Sequence, residues 1–403
     1  MSEPKGKGGI DDFVRRDHRF VFLGTSALCA AAVCVSLMRY APGSAPVPVI
    51  AAWAVCLAWM LFSLVAGLYK LGHWDAYEKT SPFVQEPLRG TVRRISWAVW
   101  AVALALAAVV IALNLADAWN TAMSLTQNSP DFVIGGIYMI TQQWPILLHG
   151  IEITVELALL GTVIAFFLAL LLVFLRIQTP DRSDNYLVRF FKKLGSGFAA
   201  VYSTVIRGTP MMVQGLIIYY GGFAAFASTG MSVQQVQETW SFFIAGLVTI
   251  SLCSAAYMAE VLRASIEAID PGQMEAARSL GLSQWQAMSS VVFPQGVRNA
   301  MPALSNEFIV NIKDSSVLSV IGVFDLMYAT TSITGIYYRQ MEVYIATAVI
   351  YLILTLLAGK VLDLISAHMG MSTRGILSTE SENPVLVQQA FANTQQGGVA
   401  QNA

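Results

Sequence analysis

Charged side chains are scarce in this sequence. Asp, Glu, Lys and Arg make up 12% of its 403 residues, against about 25% in an ordinary soluble domain. A soluble fold with a wide hydrated surface is thereby excluded. Cysteine is also rare. The four cysteines, Cys29, Cys34, Cys56 and Cys253, all sit inside apolar runs and show no metal-ligand spacing. No exported disulfide framework and no metal site is expected, and Cys29 and Cys34 read as small packed hydrophobes. There is no phosphate loop: Gly359-Lys360 lacks both the earlier glycine and the following hydroxyl. No nucleophile–base arrangement stands out, and His149 reads as interfacial. No catalytic residues are expected, and the chain reads as a non-enzyme. A net charge of −1 offers no cationic surface to nucleic acid.

What the sequence has instead is apolar length. Hydrophobic types fill 56% of it. A spanning helix needs about 20 mostly apolar residues. Eight runs qualify: 20–38, 49–69, 95–116, 149–175, 205–227, 240–262, 302–322 and 342–366. Arg15, Arg16 and Arg19 precede the first, which reads as an anchor because no small-residue cleavage site follows it. Lys and Arg gather in alternate connections, in 1–19, 70–94, 176–207 and 263–298. The others carry only Arg39 and Arg339, with none in 117–148 or 228–239. The positive-inside rule then predicts an all-α polytopic membrane protein of eight transmembrane helices with both termini cytoplasmic. Residues 1–19 form a polar N-terminal segment, and 20–145 three helices with an exported loop. A five-helix core follows over 146–366, and 367–403 is a Gln- and Asn-rich tail expected to be mobile. Phe132, Ile137, Tyr138 and Trp144 suggest a short interfacial helix. Trp74, Tyr77 and Phe83 suggest a surface-lying loop in 70–94.

One polar stretch interrupts the apolar pattern. Asp270 is a good N-cap and Pro271 suits a first helical position. Glu275-Ala276-Ala277-Arg278-Ser279-Leu280 favours helix, and Gly281 favours a left-handed stop. Ser283 can cap a second short helix, with Pro294 limiting it. The pair would offer Met274, Ala277 and Leu280 or Leu282 as a small apolar face. An ordinary helical hairpin and a DNA-binding helix-turn-helix are rival readings. Arg278 is the single cation between Asp270 and Pro294, which is too little for phosphate contact.

Glu275-Ala276-Ala277, three residues, Gly281, nine residues, then Val291-Val292-Phe293-Pro294 resembles the "EAA" loop of ATP-binding-cassette importer permeases. Val291 and Phe293 replace the family's Ile and Leu. Three further elements resemble the polar amino-acid uptake class. They are Arg207-Gly208-Thr209-Pro210 with Gln214, Ala256-Tyr257-Met258-Ala259-Glu260-Val261-Leu262-Arg263, and Lys313-Asp314-Ser315-Ser316. The likeness covers about residues 146–366, with the EAA loop at 263–300. The first three helices exceed the usual five-helix core and resemble longer variants of the class. The resemblance implies a permease subunit of an ATP-driven importer for polar amino acids in a bacterial inner membrane. Its partners would be ATPase subunits, an extracytoplasmic solute-binding protein and a second permease, identical or homologous. ATP and Mg would be bound by the ATPase, leaving this chain without a cofactor. The EAA residues Glu275, Ala276, Ala277, Gly281 and Pro294 would couple to the ATPase.

Read from the residues, a solute pathway needs polar groups at membrane depth. A charge near a helix centre costs about 2.5–3.5 kcal/mol on insertion scales, so it faces a cavity or a partner. Gln214, Asn306, Glu307, Asn311, Lys313 and Asp314 are the candidates. Glu307, Asn311 and Asp314 share one helix face. Against a pathway role, Lys313 and Asp314 could compensate one another or join two permease subunits. Glu152 and Glu156 either line the access or sit at the interface. Glu260 and Arg263 read as an intrahelical ion pair. Arg207 reads as a surface anchor, with Gly208 and Pro210 making a break. Glu275 could pair with a partner's basic group or simply suit its helix terminus. The alternative function is an ion-coupled secondary amino-acid transporter. That would predict broken helices in related halves, and none is evident in the sequence. A membrane-embedded sensor is a third possibility.

Overall fold

The computed structural model describes residues 19–41, 43–72, 88–178 and 185–368. The expectations for the N-terminal segment, for Trp74, Tyr77 and Phe83, and for the tail fall outside them, apart from a few flanking helical residues. Every regular element among the described residues is helical. The chain divides into two units, Met1–Tyr138 and Met139–Ala403.

The first unit holds α1 (Arg19–Leu37), α2 (Val47–Gly72) and α3 (Leu88–Ser124). Cys29, Ala32, Trp53, Cys56, Trp59, Ala103 and Val110 form their common core. Trp53 donates its indole N–H to the Ser36 hydroxyl, and Thr25 meets Ser96 at 3.3 Å. Buried polar atoms in hydrocarbon need such partners. Cys29 and Cys56 are buried as small hydrophobes, whereas Cys34 faces outward, against expectation. A single turn of helix separates positions that face a core from positions that face lipid. At one end Arg39 reaches Asn114 and Asp117, each at 2.7 Å. The third apolar run is the middle of a much longer helix, 37 residues in all.

The segment that links the units carries α4 (Phe132–Gln142), the short helix expected there. The second unit then holds α5 (Trp144–Arg176), α6 (Tyr186–Gly208), α7 (Met211–Ala227), α8 (Val233–Thr239) and α9 (Phe242–Glu267). It continues through α10 (Pro271–Ser279), α11 (Gln284–Ala287), a π turn (Met288–Val292) and α12 (Phe293–Asp314). A 3-10 segment (Ser315–Ile321), α13 (Leu326–Tyr337) and α14 (Gln340–His368) complete it. Helix α9 is the central pillar: 61% of its apolar window is enclosed, against 17% for α14. Its small residues Ser251, Ser254, Ala255, Ala256 and Ala259 are buried. Without a hydrophobic drive between helices in lipid, such close approach is what holds a bundle together.

Among the described residues, five helices are each long and apolar enough to cross a membrane, or up to seven if each bent pair counts as one span. The described apolar part of α1, Gly24–Leu37, is shorter than that. One expected span is bent within its length and another is followed by a bend. The fifth, 205–227, is the last turn of α6 followed by α7, bent by 110° at Thr209–Pro210. Proline cannot donate and forces its predecessor out of the helical region; Thr209 is accordingly extended. The seventh, 302–322, is α12 running into the 3-10 segment, and α13 follows after a 51° bend. Helices α6, α8 and α13 were not expected as elements. The break expected at Gly208 and Pro210 is therefore present, and the bend before α13 is one the sequence did not reveal.

Candidate functional site

The polar stretch folds into a bent lever. The Asp270 carboxylate accepts from the Gly272 N–H at 2.8 Å, which starts α10. Gly281 stops it with φ +89, a conformation that costs a residue with a Cβ. Its N–H donates to the Arg278 carbonyl, and that of Leu282 to the Ala277 carbonyl. This double return satisfies the last carbonyls of α10. Ser283 and Gln286 then cap each other to start α11. Pro294 does not end this helical run. It sits in the first turn of α12, where no donor is missed, and the π turn carries the backbone into it.

Ala277 is buried and Met274 packs against the adjoining core. Leu282 is half-buried and Leu280 is 85% exposed, so Leu282 completes the apolar face. Glu275, Ala276, Leu280 and Trp285 are left pointing outward. Trp285 also meets Phe174 of α5 edge-on, with centroids 5.4 Å apart. Trp285 adds to the outward face of these helices a large apolar residue that the sequence reading did not single out; a large apolar side chain in a polar loop was the available signal.

A cavity of ≈ 270 Å³ lies between α7, α9 and α12. Gln214, Glu307 and Asp314 line it, as do Thr209, Ser254 and Tyr257. Both carboxylates face the same space and no basic side chain lines it. The amide of Gln214 donates to the Ile206 carbonyl at 2.8 Å and the Thr209 carbonyl at 2.9 Å. It thereby satisfies the carbonyls freed at the α6–α7 break. Its carbonyl accepts from the Cys253 thiol at 2.9 Å. Asn311 does not line the cavity. It accepts from Ser254 at 2.6 Å and donates to Thr162 at 2.8 Å, and is 1% exposed. It pins α12 to α9 and α5. Asn306 and Lys313 are exposed on other faces of α12. Met211, another lining residue, packs against a cluster of Leu157, Tyr219, Ile250, Leu318, Ile321 and Val323.

Glu260 and Arg263 do pair along α9, and Arg263 also reaches Glu267. Two more guanidinium groups join them. Arg176, ending α5, lies 3.2 Å from Glu260, and Arg207, in the last turn of α6, lies 3.6 Å away. Arg207 also covers the Tyr257 ring at 5.6 Å. Arg207 is thus held between helices as well as placed near their ends. Sequence could not show this, because Arg176 and Glu260 are 84 residues apart. Glu152 and Glu156 are exposed, and Glu152 pairs with His149 at 3.4 Å.

Comparisons with known proteins agree on one family. The model described as binding-protein-dependent transport system inner membrane component matches residues 186–371. The glutamine transport system permease protein GlnP of Escherichia coli K12 is 33% identical over 225 residues, covering 56% of this chain and 93% of that protein. The arginine transport system permease protein ArtQ of Bacillus subtilis is 33% identical over 220 residues, covering 53% and 88%. A crystal structure of an amino acid ABC transporter with histidines is 35% identical, covering 60% of this chain and 99% of that one, with a TM-score of 0.49. A third of the positions are shared along nearly the whole of these relatives, and the chain belongs to the family of binding-protein-dependent transport system inner membrane components.

Proposed function

We propose that this chain carries polar amino acids across a bacterial inner membrane as the permease subunit of an ATP-driven importer. The observation that carries the proposal is the lever. Two capped short helices bend at Gly281 and present Glu275, Leu280 and Trp285 outward from a rigid base. A short helix with an exposed apolar knob and a charge suits a groove in a soluble partner. That partner is an ATPase subunit, which binds ATP and Mg; this chain holds no nucleotide itself. A solute-binding protein delivers substrate on the opposite face, and a second permease completes the pathway. Eight spans place both termini and the lever in the cytoplasm, in keeping with the Lys and Arg distribution.

In this reading ATP binding draws two levers together and opens the pathway outward, and hydrolysis resets it. Glu307 and Asp314 supply acceptors for the ammonium group every amino acid carries, inside a cavity without competing cations. The test is uptake by proteoliposomes holding the permease, its ATPase and its binding protein. Polar amino acids should accumulate only with ATP, and competition among them gives the substrate range. Uptake driven by a proton or sodium gradient without ATP would overturn the reading.

A further inference from the structure

We propose that Glu260 is a positioning residue that joins the lever to the cavity wall, through Arg207. The assignment rests on the importer reading above. It begins at the base of the lever. A Cβ at Gly296 would lie 2.9 Å from the Ile266 Cα, so the end of α9 and the start of α12 touch backbone to backbone. The lever is the chain between them, residues 268–292. A force on its tip therefore reaches both helix ends, because closely packed interiors are hard to compress and transmit strain.

Those helix ends need a grip on the cavity. Glu260 lies less than two turns above Ile266 on α9 and holds Arg207 of α6 at 3.6 Å. Arg207 stands two residues before Thr209, which lines the cavity at the α6–α7 break. It also covers the ring of Tyr257, a second lining residue. Gln214 ties the same break to α7 through the Ile206 and Thr209 carbonyls. A contiguous set of contacts runs from lever base to cavity wall, and Glu260–Arg207 is its ionic step. Neither residue lines the cavity or belongs to the lever, so substrate contact and ATPase docking do not account for them. Arg176 binds the same carboxylate from α5 at 3.2 Å but leads to no lining residue. It serves as the internal control.

Spatial continuity shows a possible route; coupling has to be measured. The experiment uses the complete transporter, with ATPase and binding protein, in proteoliposomes. Uptake and ATP hydrolysis are recorded together, and complex yield is read by size-exclusion chromatography. Glu260→Gln and Arg207→Gln should each assemble with the ATPase and keep basal hydrolysis. ATP hydrolysed per substrate carried should rise about tenfold, within the usual range of coupling between sites. The double variant should be no worse than Glu260→Gln alone, since that change already removes the pair with Arg207. Arg176→Gln should leave the ratio unchanged. Uptake and hydrolysis falling together with the amount of folded complex would overturn the assignment. So would an equal rise in the ratio for Arg176→Gln. If Glu260→Gln does not fold, Arg207→Gln decides: it removes the charge that faces Glu260, and an unchanged ratio refutes the assignment. Absence of ATP-driven uptake by the unaltered complex would instead sink the importer reading.

Discussion

Glu307 and Asn311 stand one turn apart on α12, yet their surroundings give them different work. Glu307 opens on the cavity, whereas Asn311 spends its amide on Ser254 and Thr162. Interhelical hydrogen bonds in membranes average about 0.6 kcal/mol, so losing two should cost about 1 kcal/mol. Asn311→Ala is therefore expected to lower the melting temperature of the purified permease while leaving substrate competition unchanged. Glu307→Gln should do the reverse, abolishing uptake with the melting temperature kept. A fluorescence melting curve and an uptake assay on the same preparations separate the two. Gly281 makes a third case. At φ +89, a side chain adds roughly 1–2 kcal/mol of backbone strain. Gly281→Leu should lose uptake and ATPase capture yet still insert in the membrane, as scored by fractionation and pull-down. Residue type made Gly281 legible from sequence. Nothing in residue type distinguished Asn311 from Glu307, because the direction of a side chain around α12 is settled by where α5 and α9 lie.

Among the elements, the missed helices α6 and α13 were missed for opposite reasons. Helix α6 carries Arg189, Lys192 and Lys193 and so read as a cytoplasmic connection. It is strongly amphipathic, with Phe191, Leu194, Phe198, Val201 and Val205 outward and Ala199 and Ser203 packed inward. Its apolar side faces away from the protein, which inverts the pattern of a soluble surface helix. Helix α13 has 12 residues, too few to span, and its start depends on Asp325 capping the Tyr328 N–H at 2.9 Å. The contact of α9 with α12 offers a test at this scale. Gly296→Val would press methyl groups into the Ile266 backbone, and overpacking of this kind costs about 1–3 kcal/mol. The expected result is a lowered melting temperature together with weakened ATPase binding, measured by co-purification. Full ATPase binding by a destabilised Gly296→Val permease would show that the lever does not need a rigid base.

For the whole molecule, the cavity, the lever and the family match all fall in the second unit. The first unit has its own core and its own polar pairs. Topology is the open question at this scale, and one cysteine experiment addresses it. Cys34 is the exposed thiol among the four, so Cys34→Ala gives a quiet background. Ser283→Cys in that background should react with an impermeant maleimide only from the cytoplasmic side of inverted vesicles. Labelling in right-side-out vesicles would reverse the orientation and remove the lever from the reach of ATP.

Membrane residence, a helical fold, the bent lever with its caps and the family were legible in the residues themselves. Each depends on local rules: apolar length, cap chemistry, a glycine stop, and motif spacing. The cavity, the convergence of Arg176 and Arg207 on Glu260, and the bend before α13 were decided only by tertiary structure. They join side chains far apart along the chain, and in a bundle held by close packing the partner of a buried polar group is whichever helix the fold brings beside it.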